Sequence, residues 1–246
     1  MKWLAFAAVF AASLAQAGTR DPSTPDSRHV EYGAKFKCVV KVRTRRNEDN
    51  VDQFASGVVI SRRHVLTAAH VVLDTKDWSV EDGSRKVAVK GISVHPQFQE
   101  SRFGHNDVAI ATLSEDWILD FYPSIYGGDS EAGTVASICG YGVTGTFSTG
   151  YQFSDGVKRA GSNFIDRSEA GILVCSVLGG KKTSLEFLIT PGDSGGGLFI
   201  GNELAGINSI IMRDNGSPSG RYGDESGHTR LTLHREWILK EIECDE

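Results

Sequence analysis

From Phe36 onward the chain consists of short apolar runs separated by segments rich in Gly, Asp, Asn and Ser. Brief apolar runs with turn residues between them are typical of strands in antiparallel sheets. The pattern predicts strands at 37–42, 57–60, 64–66, 86–94, 108–113, 135–140, 172–177, 197–200, 204–211 and 228–231. No long segment between them has a convincing helical period, so the predicted fold class is all-β, a barrel or a sandwich.

The C-terminal segment differs, because its apolar residues recur at helical spacing. Thr232 can cap a helix in which Trp237, Ile238 and Ile242 form one apolar stripe. We therefore predict a helix and tail at 232–246. The Gly- and Ser-containing stretch 122–134 can join two barrels, which we assign to 29–125 and 126–231.

The first residues have the pattern of a secretory signal peptide. Lys2 precedes an apolar run, and Ala15-Gln16-Ala17 provides a small-residue cleavage site. The predicted signal peptide is 1–17, and the alternative is a buried N-terminal helix. Residues 18–28 are rich in Pro, Asp, Ser and Thr, which indicates a flexible lead-in or propeptide.

The composition and charge of the chain exclude several classes of protein. The 246 residues are 40% hydrophobic and 23% charged, which excludes a disordered or multi-pass membrane protein. A net charge of −5 lacks the basic excess of a nucleic-acid-binding protein.

The chain has four cysteines. In an oxidising compartment Cys38, Cys139, Cys175 and Cys244 would form one or two disulfides, and the sequence does not choose among the pairings. No Cys or His spacing predicts a metal site, and we expect no cofactor.

The most specific chemical signal is Gly192-Asp193-Ser194-Gly195-Gly196. A string of this kind occurs by chance in about one chain in several thousand. A serine nucleophile needs a tight, glycine-rich loop whose backbone amides point at the oxyanion that forms during acyl transfer. The amides of Gly192 and Ser194 are the candidates for this oxyanion hole.

A serine hydroxyl also needs a base, and the base needs a group that orients it. His70 follows an apolar strand and the small residues Ala68 and Ala69. Asp107 opens the apolar run 108–113, where it can accept the imidazole N–H while shielded from water. Each residue alone has a simpler explanation as a core or turn residue, but the three signals together predict a catalytic triad.

The motifs TAAH at His70, NDVAIATL at Asp107 and GDSGGG at Ser194, in this order, resemble those of the chymotrypsin-like (trypsin-fold) serine peptidases. The resemblance extends from about Val30 to the C-terminal helix. It implies two antiparallel six-stranded β-barrels with the cleft between them. Gly140-Tyr141-Gly142 also matches a family turn, and by the match Ser209, Ile210 and Ile211 pair with an extended substrate.

The chain departs from the family at three places. Ala55 and Val71 stand where vertebrate members have a disulfide beside the catalytic histidine, and Thr190 replaces a usual cysteine. These departures indicate a divergent member of microbial type. The family's disulfide pairing therefore does not transfer to this chain.

The resemblance also suggests a specificity. Leu188 stands six residues before Ser194, where members that cleave after Arg or Lys have an acid, and Ile211 stands where glycine leaves the pocket open. We predict a preference for small or medium apolar side chains. Asp224 and Glu225 keep an Arg/Lys preference open, because a small shift would bring either into the pocket wall.

Asp193 raises the question of activation. In the family the matching acid pairs with a new N-terminal ammonium after propeptide cleavage. Arg28-His29-Val30 is the nearest approach to the family's cleavage site, so the sequence suggests cleavage after Arg28. The alternatives are cleavage after another Arg or Lys, or an Asp193 that faces solvent.

The sequence as a whole predicts a secreted serine endopeptidase, extracellular or periplasmic, that works through an acyl-enzyme. Its expected partners are protein or peptide substrates and a proteinaceous inhibitor, with no nucleic acid and no membrane after signal cleavage. The expected state is a monomer. The alternatives are a catalytically silent binding protein on the same fold, or a trypsin-like Arg/Lys-specific peptidase.

Overall fold

The computed structural model describes residues 18–102, 104–178, 181–213 and 219–243. The predicted signal peptide and Cys244 lie outside these ranges. The described strands are β1 (Gly18–Arg20), β2 (Val39–Arg46), β3 (Asp52–Val59), β4 (His64–Thr67), β5 (Thr75–Glu81), β6 (Lys86–Val94), β7 (Ala109–Leu113), β8 (Val135–Gly140), β9 (Thr144–Thr146), β10 (Gly150–Phe153), β11 (Arg159–Phe164), β12 (Arg167–Glu169), β13 (Ile172–Ser176), β14 (Phe187–Leu188), β15 (Gly197–Ile200), β16 (Glu203–Met212) and β17 (Glu225–Arg230). The helices are α1 (Asp26–Gly33), α2 (Ala69–Val72) and α3 (Arg235–Glu243), with a 3-10 turn at Leu231–Leu233.

The first half of the chain forms a closed barrel of six strands in the order β2-β3-β4-β7-β6-β5. Its interior contains apolar side chains such as Val42, Val59, Val65, Val80 and Leu113. The alternation of inward and outward residues along β2 accounts for this filling, since successive side chains point to opposite faces.

The second half forms a sheet in the order β11-β8-β15-β16-β17-β13-β12. Strands β11 and β12 stand at opposite edges, yet only Ile165 and Asp166 separate them along the chain. One continuous segment therefore supplies both edges, and this seven-stranded sheet curls into a half-barrel, the second barrel of the fold. The predicted all-β, chymotrypsin-like fold class with a C-terminal helix is confirmed, with one closed six-stranded barrel and one half-barrel.

The two barrels share one buried cluster. Val58 and Ile110 of the first barrel join Cys139 and Leu204 of the second, together with Ile238 of α3. This continuous apolar contact holds the barrels together as one unit. None of the helices in the described ranges has the length and apolar character needed to cross a membrane.

The segment 18–28 differs from the predicted flexible lead-in. Strand β1 lies between β9 and β14, and Thr19 and His29 are fully buried. Helix α1 packs so closely on β11 that a Cβ added to Gly33 would lie 2.8 Å from the backbone of Arg159. Composition did not predict this order, because it comes from pairing with strands more than a hundred residues away.

The start of the C-terminal helix and the state of the cysteines also differ from the predictions. Helix α3 begins at Arg235, and the Thr232 hydroxyl lies in the 3-10 turn, where it donates to Glu131. Among the described residues, Cys38, Cys139 and Cys175 are all free thiols, so the expected disulfides are not found there. Cys139 and Cys175 are fully buried, and burial raises the pKa of both thiols.

Candidate active site

His70 and Asp107 are joined by two hydrogen bonds in the first barrel. The single-turn helix α2 follows β4 and holds His70, while Asp107 lies just before β7, the neighbour of β4. His70 Nδ1 lies 2.7 Å from Asp107 Oδ2, and the His70 backbone N–H donates to Asp107 Oδ1 at 2.9 Å. The carboxylate therefore orients both the ring and the backbone of His70.

Asp107 is 2% exposed, and its carboxylate has a third donor. The Ser209 hydroxyl donates a short hydrogen bond to Oδ2, the oxygen that binds the His70 ring. A β-bulge between Asn208 and Ile210 interrupts the pairing of β16 with β17 at Ser209. Burial raises the pKa of Asp107, but the hydrogen bonds and charge of His70 and the Ser209 hydroxyl outweigh it, so the pKa lies below its usual range. Asp107 is thus held as a carboxylate.

Ser194 lies on the glycine loop that leads into β15. Gly192 and Gly195 have φ of +96° and +84°, which side-chain-bearing residues rarely adopt. A Cβ on Gly195 would also lie 2.2 Å from the carbonyl oxygen of Ser56. Within the described ranges, neither the Gly192 amide nor the Ser194 amide donates a hydrogen bond. Both amides thus remain available to an oxyanion.

Ser56 in β3 binds this loop from the first barrel, and no sequence motif predicted this contact. Its hydroxyl donates to the carbonyl of Gly192 at 2.9 Å and accepts from the amide of Tyr141 at 2.9 Å. Its backbone N–H donates to the Ser194 carbonyl at 2.8 Å. These contacts join the loop of the second barrel to the wall of the first. The motifs around Ser194 contain no signal for them.

His70 and Ser194 face each other across the cleft between the barrels. No hydrogen bond joins the two side chains in the described part of the chain. Both nevertheless line two adjacent cavities, of about 540 Å³ on one side and about 390 Å³ on the other. His70 and Ser194 therefore line one cleft, and Asp107 lies buried behind the ring of His70.

The smaller cavity has a largely apolar wall. Besides His70 and Ser194 it is lined by Tyr151, Ile189, Thr190, Pro191, Ser209, Ile210 and Ile211. Leu188, which we predicted at the pocket base, does not line it, because its side chain packs against Phe147 and Val177. The next residue, Ile189, takes its place in the wall. Tyr151 comes from β10, a strand that the sequence pattern did not predict.

Asp224 and Glu225, the two acids that could favour cleavage after Arg or Lys, are each paired with an arginine. Asp224 is 1% exposed and lies 2.8 Å from Arg213, and it also accepts backbone amides from residues 219–221. Glu225 binds Arg167 through both of its oxygens. Neither acid lines the smaller cavity.

Asp193 is fully buried behind the Ser194 loop. It accepts the amide of Gly142 at 2.7 Å, and the amide and hydroxyl of Thr190 at 2.9 and 3.0 Å. A Cβ on Gly140 or Gly142 would lie 2.3 or 2.4 Å from a carboxylate oxygen, so the glycine turn makes room for this side chain. Burial raises the pKa of Asp193 to about 6 against the effect of these hydrogen bonds.

Comparisons with known proteins agree with the observed fold. The profile of the Trypsin family matches residues 27–238. Chymotrypsin of Phaedon cochleariae is 29% identical over 208 residues, which cover 74% of this chain and 70% of that protein. Two solved structures share the fold. Neuropsin, a serine protease expressed in the limbic system of mouse brain, has a TM-score of 0.63 at 20% identity, covering 82% of this chain and 93% of its own. HL collagenase has a TM-score of 0.68 at 18% identity, and the match covers 93% of this chain and 98% of the collagenase chain.

Proposed function

The chain belongs to the trypsin family, and on that premise we propose that it is a secreted serine endopeptidase that uses Ser194, His70 and Asp107. The observation that carries the proposal is the pair of buried Asp107 and half-buried His70, across the cleft from a serine whose loop presents two unoccupied amides. A binding protein needs neither a buried orienting carboxylate nor an oxyanion hole.

In the proposed reaction, His70 removes the hydroxyl proton as Ser194 Oγ attacks the scissile carbonyl. The carbonyl oxygen becomes an oxyanion and accepts hydrogen bonds from the Gly192 and Ser194 amides. His70 then gives the proton to the leaving amine, and an acyl-enzyme remains. Water, activated by the same ring, releases the acid, while Asp107 stabilises the imidazolium at each step.

The proposed substrate lies extended along β16. Pairing between β15 and β16 ends at Ile207, whereas β17 covers the other side of β16 as far as Met212. The edge from Ser209 to Ile211 is therefore available to the backbone of a peptide, which would add one strand to the sheet. This arrangement suits an endopeptidase, because it requires no chain terminus.

The primary pocket is proposed to accept small or medium apolar side chains. Ile189, Ile210 and Ile211 supply apolar surface to it, and the nearby acids Asp224 and Glu225 are already paired with arginines. A guanidinium there would be buried without a partner, which is strongly unfavourable. The Arg/Lys-specific alternative therefore has the weaker support.

A fluorophosphonate probe tests the reaction class. We expect labelling of Ser194 at neutral pH, and none in the Ser194→Ala variant. A folded protein that leaves the probe unreacted would favour the catalytically silent binding protein. For the active protein, a peptide library distinguishes the two specificities, and dominant cleavage after Arg or Lys would overturn the apolar pocket.

A further inference from the structure

The side chain of Asn208 binds the back of the Ser194 loop. Asn208 is fully buried in β16, and its Nδ2 donates to the backbone carbonyl of Asp193 at 3.2 Å. The Asn208 backbone N–H donates to the carbonyl of Gly196, and its carbonyl accepts from the N–H of Gly195, each at 2.8 Å. One residue of β16 therefore holds the loop through both its backbone and its side chain.

Two carbonyl groups determine which way the Asn208 amide faces. Carbonyl oxygens only accept hydrogen bonds, so the group within 3.1 and 3.2 Å of the Cys139 and Asp193 carbonyls is the NH2 group. The amide oxygen Oδ1 then faces His228, whose Nδ1 lies 2.9 Å away. Because Oδ1 only accepts, Nδ1 of His228 carries a proton and donates the hydrogen bond.

The surroundings of His228 keep this arrangement in place. His228 lies directly opposite Asn208 in the pairing of β16 with β17, and its ring is fully buried. Burial lowers the pKa of the ring to about 3, so the ring is neutral near pH 7. A neutral imidazole has a single N–H, and here Asn208 accepts it. The other nitrogen, Nε2, is buried without a hydrogen-bond partner among the described residues.

The peptide bond between Asp193 and Ser194 connects Asn208 to the proposed oxyanion hole. The Asp193 carbonyl accepts from Asn208 Nδ2 and, at 2.9 Å, from the N–H of Gly196. In a planar trans peptide the C=O and the following N–H point in opposite directions. Two hydrogen bonds that fix the direction of the Asp193 carbonyl therefore also fix the direction of the Ser194 N–H.

We propose that Asn208 and His228 are positioning residues for the oxyanion hole. His228 orients the Asn208 amide, and the amide holds the Asp193–Ser194 peptide plane so that the Ser194 N–H points at the oxyanion. The inference rests on the proposed function and names the groups that preorganise one of its two oxyanion donors. A donor that is already oriented needs no reorganisation when the charge develops.

Neighbouring residues of β16 thus serve two parts of the proposed site. Asn208 orients the Ser194 amide, whereas the hydroxyl of Ser209 binds the carboxylate of Asp107. The close approach also depends on Gly196, where a Cβ would lie 2.8 Å from Asn208 Nδ2. A pair that only stabilised the fold would not affect oxyanion binding in the folded protein, so the test must measure that binding.

The test compares a peptide aldehyde with the corresponding peptide alcohol as inhibitors. Ser194 Oγ adds to the aldehyde carbon, and the former carbonyl oxygen then occupies the oxyanion position, whereas the alcohol forms no adduct. In Asn208→Leu we expect aldehyde affinity to fall about 10- to 100-fold and alcohol affinity to change by less than about 2-fold. On an ester substrate, kcat should fall by a similar factor with little change in KM.

Asn163→Leu is the matched control. Asn163 is a second buried asparagine of the same sheet, and its amide accepts from the Phe187 N–H and donates to the Ser176 carbonyl. It has no hydrogen bond to the Ser194 loop among the described residues. We expect this variant to lose stability while its preference for the aldehyde over the alcohol stays at the wild-type value.

Two variants of His228 extend the test, and they carry it if Asn208→Leu does not fold. His228→Phe removes the N–H that orients the Asn208 amide, whereas His228→Asn keeps a donor near the position of Nδ1. We expect His228→Phe to weaken aldehyde binding selectively and His228→Asn to restore part of it. Equal aldehyde-to-alcohol preference in the wild-type protein and in folded His228→Phe would overturn the role of His228.

Nitrogen-15 NMR of the imidazole rings provides a readout independent of catalysis. The His228 signals, assigned by their loss in His228→Asn, should show a neutral ring with its proton on Nδ1. A proton on Nε2 would overturn the proposed orientation of the Asn208 amide.

The inhibitor comparison also distinguishes this inference from the proposed function. An unchanged aldehyde preference in folded Asn208→Leu would overturn the inference and leave the peptidase proposal standing. A wild-type protein that binds the aldehyde no better than the alcohol would overturn the peptidase proposal, and the inference with it.

Discussion

Ser209 donates a hydrogen bond to Oδ2 of Asp107, the carboxylate oxygen that also binds the ring of His70. The hydroxyl comes from β16 of the second barrel, whereas Asp107 precedes β7 of the first. The proposed catalytic base is therefore oriented by groups from both barrels. Any change in the contact between the barrels would therefore change the orientation of the His70 ring.

Ser209→Ala tests this link. We expect kcat to fall by about 10- to 150-fold with little change in KM, because a hydrogen bond to a buried charge contributes roughly 1.5–3 kcal/mol. Steady-state kinetics on a peptide substrate provides the measurement. Ser84→Ala, which removes an exposed loop hydroxyl, is the matched control and should leave kcat unchanged. A wild-type kcat in Ser209→Ala would show that the hydrogen bond from Ser209 to Asp107 does not contribute to catalysis.

Ser56→Ala tests the contact between the first barrel and the Ser194 loop. The substitution leaves the Gly192 carbonyl and the Tyr141 amide without their hydroxyl partner in a buried place. We expect a loss of about 1–3 kcal/mol in the free energy of unfolding, together with a lower kcat. Urea unfolding and kinetics measure the two effects. Lost stability with an unaltered kcat would limit Ser56 to a structural role.

Gly142→Ala tests the space occupied by Asp193. The new Cβ would lie 2.4 Å from a carboxylate oxygen, so Asp193 must move and the Ser194 loop with it. We expect loss of fluorophosphonate labelling and a lower unfolding temperature. Gly127→Ala is the control, because a Cβ there meets nothing within 4 Å. Normal labelling of Gly142→Ala would show that the loop tolerates displacement of Asp193.

Ile211→Gly tests the pocket wall. Removing this side chain enlarges the smaller cavity, so we expect the cleavage preference to shift toward larger apolar residues such as Phe and Leu. Peptide-library profiling measures the shift. Glu225→Gln, which breaks the pair with Arg167 outside the pocket, should leave the preference unchanged. If only the Glu225 variant changed the cleavage preference, Glu225 and not Ile211 would belong to the wall of the specificity pocket.

Buried histidines predict a loss of stability in acid. Burial lowers the pKa of His29, His228 and His234 to about 4, 3 and 4. Because the folded state binds the proton more weakly than the unfolded chain, this stability is present above pH ~6.5 and is lost as the pH falls toward the folded values. Asp193 acts in the opposite direction, because burial raises its pKa to about 6.

Urea unfolding at pH 7.5 and pH 5 measures this dependence. We expect roughly 2 kcal/mol of lost stability per buried histidine over that interval. His234→Gln should reduce the loss, since it removes one titrating ring. A pH dependence identical to that of the wild-type protein would mean that His234 is not held neutral by burial.

Features that depend on local chemistry were predictable from the sequence. The loop around Ser194 needs glycines because of its own φ angles, and the strands follow from short apolar runs with turns between them. The order of His70, Asp107 and Ser194 pointed to the family for the same reason. Each of these motifs is contiguous, so the sequence carries the whole signal.

Contacts across the fold were decided by tertiary structure. Leu188 and Ile189 are neighbours with similar side chains, yet only Ile189 lines the cavity, because successive residues of an extended segment point to opposite sides. Register, not residue type, selects between them. The hydroxyls of Ser56 and Ser209 likewise gain their roles from distant strands.

The sequence by itself determined the fold class, the family and the candidate triad, because short motifs and apolar periodicity encode them locally. Tertiary structure alone decided that β1 is a strand paired between β9 and β14, and that Asp224 and Glu225 are paired with Arg213 and Arg167. These outcomes depend on strand pairing between residues far apart in the chain. Because the stability of such pairing depends on both segments, the sequence of one segment alone does not predict it.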